Sequence, residues 1–150
     1  MTRRNIPCAA LAVCAATLSL GIYSMNAQAP AHPWQTPAHG AAPAHQANLL
    51  LTSDLDGVYN KELRVLRTVY PPGAANTKHY HTSHVVFYIL EGEGVWQEEG
   101  KAPVTLKAGD TLLVKPGTVH AHWNPSATVP LVFSEVVIVD KGQRSTVRMP

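Results

Sequence analysis

Short apolar runs separated by turn residues dominate the chain from Asn48 onward. Within residues 62–70, Leu63, Val65 and Val69 alternate with polar residues, the period of a half-buried strand. Pro71, Pro72 and Gly73 break that strand. Residues 84–91 form a β-branched and aromatic run that Gly92 stops. Further runs cover 95–98, 104–107, 111–114, 119–123 and 131–139, with Gly100, Gly109, Pro116, Gly117, Asn124 and Pro125 between them. Turn signals at this spacing predict a sandwich or barrel, and no stretch carries a helical period. The expectation is an all-β domain over 48–150, long enough for one small closed barrel with one core.

A different pattern precedes it. Arg3 and Arg4 open the chain, and from Asn5 to Ser53 there is no Asp, Glu, Lys or Arg. Residues 6–23 are rich in Ala, Leu and Val, and Ala27-Gln28-Ala29 is a small-x-small cleavage signal, so residues 1–29 read as a signal peptide. The opening Thr2 to Ile6 resembles a twin-arginine signal, with Pro7 departing from it. The expected location is therefore exported, periplasmic or secreted, with no stable membrane span after processing. Residues 30–47 hold three Pro-Ala-His tripeptides ending at His32, His39 and His45, the composition of a solvated linker.

Charge narrows the partners. Arg3 and Arg4 are two of the 12 Lys and Arg, so 10 basic residues face 10 acidic ones from residue 5 onward. A neutral domain lacks the electrostatic footprint of a nucleic-acid binder. Cys8 and Cys14, the 2 cysteines, both lie in the signal region. The mature domain then has no disulfide, thiol nucleophile or cysteine metal ligand. The abundant chemistry is imidazole: 8 histidines, all at or after residue 32.

His79 and His81 are two residues apart, so on a strand both rings point to one face and converge as a metal site requires. His120 follows the Pro116-Gly117 turn, and His122 shares its face. Gly73, His79 and His81, followed by Tyr88 to Gly92, resemble the first cupin motif. Gly109, Asp110, Pro116, Gly117, His120 and Asn124 resemble the second. The resemblance implies a cupin-type double-sheet jelly-roll barrel, often homodimeric, with a divalent metal held by His79, His81 and His120.

Two positions depart from the family pattern. The usual Glu, four residues after the second His, is Val85, which cannot ligate. Lys115 stands where a Pro is usual, with Pro116 beside it. Three neutral imidazoles leave a divalent site at a formal charge of about +2 with open positions, which favours a chelating anion such as a carboxylate, enolate, catecholate or thiolate. Three-His cupins include dioxygenases, so the resemblance favours Fe(II) or Mn, with Zn, Ni or Cu as further possibilities. The implied function is a metal-dependent oxygenase or lyase/isomerase acting on a small anionic chelator. The alternative is a non-enzymatic protein that binds a metal or a small metabolite.

Other residues could stand in for the missing Glu. His84 faces outward by parity unless a bulge turns it. His122 reads as a fourth ligand, a proton-transfer group or a packed core histidine. Glu135 shares the parity of Phe133 and Val137. It is either carried inside with them, as a ligand or general base, or exposed near a sheet edge. Val85, Phe87 and Ile89 share the inward parity of the histidines and are expected to wall the substrate pocket. Asp110 and Asn124 read as turn-holding residues.

Overall fold

The computed structural model describes residues 44–150. The expected signal peptide, and the expected linker up to residue 43, lie outside the described residues. The strands are β1 Gln46–Asp54, β2 Lys61–Tyr70, β3 His79–His81, β4 Val85–Glu91, β5 Glu93–Glu98, β6 Val104–Lys107, β7 Thr111–Val114, β8 His120–Trp123, β9 Leu131–Asp140 and β10 Thr146–Arg148. They form two five-stranded antiparallel sheets, ordered β1-β2-β9-β4-β7 and β10-β3-β8-β5-β6. This is the all-β architecture that the turn spacing predicts, in the double-sheet arrangement that the resemblance implies. Among the described residues there is no helix long and apolar enough to cross a membrane.

The chain passes between sheets through tight turns. Gly92, at φ 75°, carries it from β4 to β5. A Cβ there would lie 2.3 Å from the Pro130 carbonyl oxygen, so both the left-handed backbone and the close approach require glycine. Asp110 and Asn124 hold turns, as expected. Asp110 Oδ2 accepts the Lys107 amide at 2.7 Å. Asn124 is buried, and its Nδ2 donates to the carbonyls of Tyr70, Pro71 and Val129.

Two strands escape the sequence pattern. β1 starts at Gln46, inside the expected linker, because its pairing with β2 runs from Gln46 opposite Val69 to Asp54 opposite Glu62. Every residue of this edge strand is exposed, so no alternation marks it. β10 is three residues long and shows no period either.

Alternation in β2 also has an unexpected sense. The side chains turned into the core are Leu66, Thr68 and Tyr70, while Leu63, Val65 and Val69 face the other way. Register makes this consistent across the sheet. Leu66, Glu135, Phe87 and Leu112 stand opposite one another on the inner face. Leu51, Val65, Val136, Val86 and Leu113 form the corresponding row on the outer face. The inner face packs Tyr70, Val85, Phe87, Phe133 and Val137 into the core between the sheets.

Candidate metal centre

β3 and β8 meet at one residue pair, His79 opposite His120. The pairing brings the two histidine strands side by side on the inner face. His79 and His120 rings lie 4.3 Å apart between centroids, and His81 lies 5.1 Å from each. His79 donates Nδ1–H to the Thr77 carbonyl at 2.9 Å, and His120 donates Nδ1–H to the Thr118 carbonyl at 2.7 Å. A carbonyl can only accept, so both protons sit on Nδ1 and both Nε2 atoms carry lone pairs. His81 Nδ1 lies 3.3 Å from Thr146 Oγ1. The Nε2 atoms of His81 and His120 are buried and have no hydrogen-bond partner among the described residues. Oriented Nδ1 and orphaned Nε2 are what metal-ligating histidines show.

His122 joins the same group. The ligand atoms of His79, His120 and His122 all lie within 4.8 Å of one another. The surroundings of His122 differ, however. Asn76 Oδ1 accepts the His122 backbone amide at 2.9 Å, which fixes the side-chain amide and turns its Nδ2 toward the ring. Nδ2 is 3.2 Å from both ring nitrogens. Equal distances to both nitrogens place this amide over the ring face, directed at neither lone pair. Trp96 stacks on His122 at 4.6 Å and on His120 at 4.3 Å, clamping both rings. Four histidines thus surround one space. The group whose ligand atoms converge within 4.8 Å is His79, His120 and His122, and His81 stands beside it with its Nε2 buried and unpartnered among the described residues.

All four rings are held neutral. Burial lowers their pKa values, reinforced by the neighbouring histidines for His81, His120 and His122. His81 falls to about 3 and His120 to about 4. Neutral imidazole is the form that binds a metal, so the donor set fits a divalent transition metal.

The cluster opens into a cavity of about 320 Å³, at the small end of ligand pockets. Glu135 lines it. The carboxyl is turned inward from the central strand β9 and accepts the Thr68 hydroxyl at 2.7 Å. Burial raises its pKa, opposed in part by that hydrogen bond. Tyr70 lines the cavity beside it, with its pKa raised by burial and by Glu135. At the mouth, His45 stacks on Tyr70 with centroids 4.7 Å apart.

With this geometry the comparisons agree. The Cupin domain family matches residues 66–139. The oxalate-binding protein of Thermotoga maritima is 35% identical over 85 residues, covering 56% of this chain and 69% of that protein. The chain is a cupin. Among solved structures, a cupin-like protein of Thermotoga maritima superposes with a TM-score of 0.57 at 27% identity, covering 70% of this cupin and 75% of that chain. The DMSP lyase DddQ of Ruegeria pomeroyi superposes with a TM-score of 0.57 at 21% identity, covering 70% of this cupin and 51% of that chain. At that identity the likeness is one of fold.

The cupin places the other sequence candidates as follows. Phe87 lines the cavity. Val85 and Ile89 do not line it. Both are buried in the apolar core, because successive inward side chains on a strand are separated along its axis and the cavity reaches only one of the three. His84 is exposed in the turn before β4, outside the cluster. Glu135 lies inside rather than at an edge, since its direct neighbours Leu66 and Phe87 both face inward. Asn76, Thr68 and Tyr70 were not singled out by the sequence, and His45 was read as part of the linker. Asn76 is three residues before His79, but only folding brings it to His122.

Proposed function

We propose that this cupin holds a divalent transition metal on His79, His81 and His120 and binds a small anionic chelating molecule there. The observation that carries the reading is the pair of buried, unpartnered Nε2 atoms on His81 and His120. Fe(II) or Mn(II) is favoured over Zn(II), Ni(II) or Cu(II), on the resemblance to three-His cupins. A divalent ion among neutral imidazoles leaves positive charge in a confined space, which an anion relieves. The oxalate-binding relative supports a carboxylate ligand.

Glu135 favours catalysis over storage. Its carboxyl faces the ligand space, and burial raises its pKa toward the range of a working acid or base. The metal would polarise the bound anion as a Lewis acid, and Glu135 would move a proton to or from it. Thr68 orients the carboxyl, and Phe87 and Tyr70 limit water. A lyase or isomerase uses this arrangement directly, and an oxygenase would use the same ligand set.

The decisive experiment measures metal content in untagged protein by elemental analysis, then titrates oxalate calorimetrically into metal-free and metal-loaded samples. Near-stoichiometric metal and binding only in the loaded sample are expected. Absence of metal after reconstitution with Fe(II), Mn(II), Zn(II) and Ni(II) removes the reading. Glu135→Gln should retain ligand binding and lose any turnover by about 100-fold or more.

The reading includes export through the N-terminal signal and a homodimer. The outer row of Leu51, Val65, Val136, Val86 and Leu113 offers a flat apolar face for a second copy, with Leu51 and Leu113 about half exposed. Light scattering should give a dimer mass for the wild type. Leu113→Glu should weaken association at least tenfold, about 1.4 kcal/mol, while leaving the melting temperature of the monomer unchanged within a few degrees. A monomeric wild type at tens of micromolar would remove the dimer.

A further inference from the structure

We infer that Arg148 is a second anchor for the bound anion, so that the ligand is a small dicarboxylate with one end at the histidine cluster and the other on the guanidinium. The inference rests on the metal-and-anion reading above and deepens it.

Register places Arg148. In the pairing of β10 with β3, Thr146 stands opposite His81 and Arg148 opposite His79. Directly opposed residues of an antiparallel pair project to the same face. The Thr146 hydroxyl, 3.3 Å from His81 Nδ1, shows which face that is. Arg148 therefore leaves its strand on the cavity side, and it lines the cavity while remaining exposed at its mouth. Its charge reaches His45 and His79, adding to the burial that lowers the pKa of each.

No carboxylate answers that charge. The ion pairs among the described residues engage Lys61, Arg64, Arg67, Lys78, Lys101, Lys107 and Lys141, and none engages Arg148. Residues 1–43 contain no Asp or Glu. Glu135, the only carboxyl lining the cavity among the described residues, is bound by Thr68 and makes no ion pair with Arg148. Arg64, on the adjoining surface, is committed to Glu62 and to the Gln143 carbonyl. Once a divalent metal is bound to the neutral cluster, a permanent cation beside it is unfavourable until an anion sits between them. The guanidinium fork matches a carboxylate bidentately, and the cavity volume suits a molecule of a few carbons.

The test uses full-length, metal-loaded protein and a calorimetric series of acetate, propionate, oxalate, malonate, succinate and glutarate. At least one dicarboxylate should bind about 10- to 100-fold more tightly than the monocarboxylates, the range of a charge-assisted hydrogen bond. Arg148→Gln should erase that advantage, and Arg148→Lys should restore part of it, with metal content unchanged in both. Arg144→Gln removes the same charge from the nearby surface, and its effect should stay within about twofold. Equal losses in Arg148→Gln and Arg144→Gln would reduce Arg148 to general electrostatics and overturn the anchor. So would dicarboxylates that gain nothing over monocarboxylates. Failure of metal loading, or of any carboxylate to bind the loaded protein, is the separate failure of the underlying reading.

Discussion

His120→Ala and His81→Ala abolish stoichiometric metal binding, whereas His122→Gln keeps it. The first two substitutions each remove a buried Nε2 that has no partner among the described residues. Loss of one of three imidazoles should weaken metal binding by more than about 100-fold, since even the groups that orient a ligand are worth 10- to 100-fold. His122 is different because Asn76 packs against its ring and accepts its backbone amide. A glutamine there can accept from Asn76, so metal affinity should change by less than about threefold while the core stays polar and filled. Elemental analysis after dialysis, with circular dichroism to confirm folding, reads the result. The reverse outcome, metal lost in His122→Gln and kept in His81→Ala, would assign the site to His79, His120 and His122, whose ligand atoms also lie within 4.8 Å of one another.

Lowering the pH from 7 toward 5 should destabilise the metal-free protein. In the unfolded chain, histidines take up protons near pH 6.5. In the fold, His81 and His120 resist protonation down to about 3 and about 4, chiefly through burial. Between these values the unfolded state binds more protons than the native state, so stability falls as pH falls. Each such histidine contributes a slope of up to about 1.4 kcal/mol per pH unit. Their contribution is fully present above pH 6.5 and is lost progressively toward the folded values. His79 and His122 act in the same direction. Glu135 acts oppositely, because its raised pKa lets the native state hold a proton that the unfolded state has released. Several histidines against one carboxyl leave a net loss of about 1–3 kcal/mol per unit between pH 6 and 4.5. Urea midpoints of metal-free protein at pH 7, 6 and 5 measure it. A flat profile would show that the imidazoles are not held neutral by the fold.

The buried polar cluster also explains where sequence reading succeeds and where it stops. Local patterning along the chain determined the all-β class and most strand positions and put His79 and His81 on one face, while His120 entered through the resemblance to cupins. Turn residues and side-chain parity act over a few neighbours, so they are visible without the fold. β1 and β10 are legible only by partner. One is exposed throughout and the other is three residues long, and neither carries a period. The sense of β2 was hidden because its apolar residues form the outer row while Thr68 and Tyr70 turn inward toward Glu135 and the cavity. Parity brought Val85, Phe87 and Ile89 inside but could not say how far the cavity extends along β4. Most of all, tertiary structure decided the polar partnerships. Asn76 meets His122 across 46 positions, Thr68 meets Glu135 across 67, and Arg148 comes to stand over His79 only because β10 pairs with β3. Such pairings are set by strand register, a property of the closed sheets that no short stretch of sequence contains.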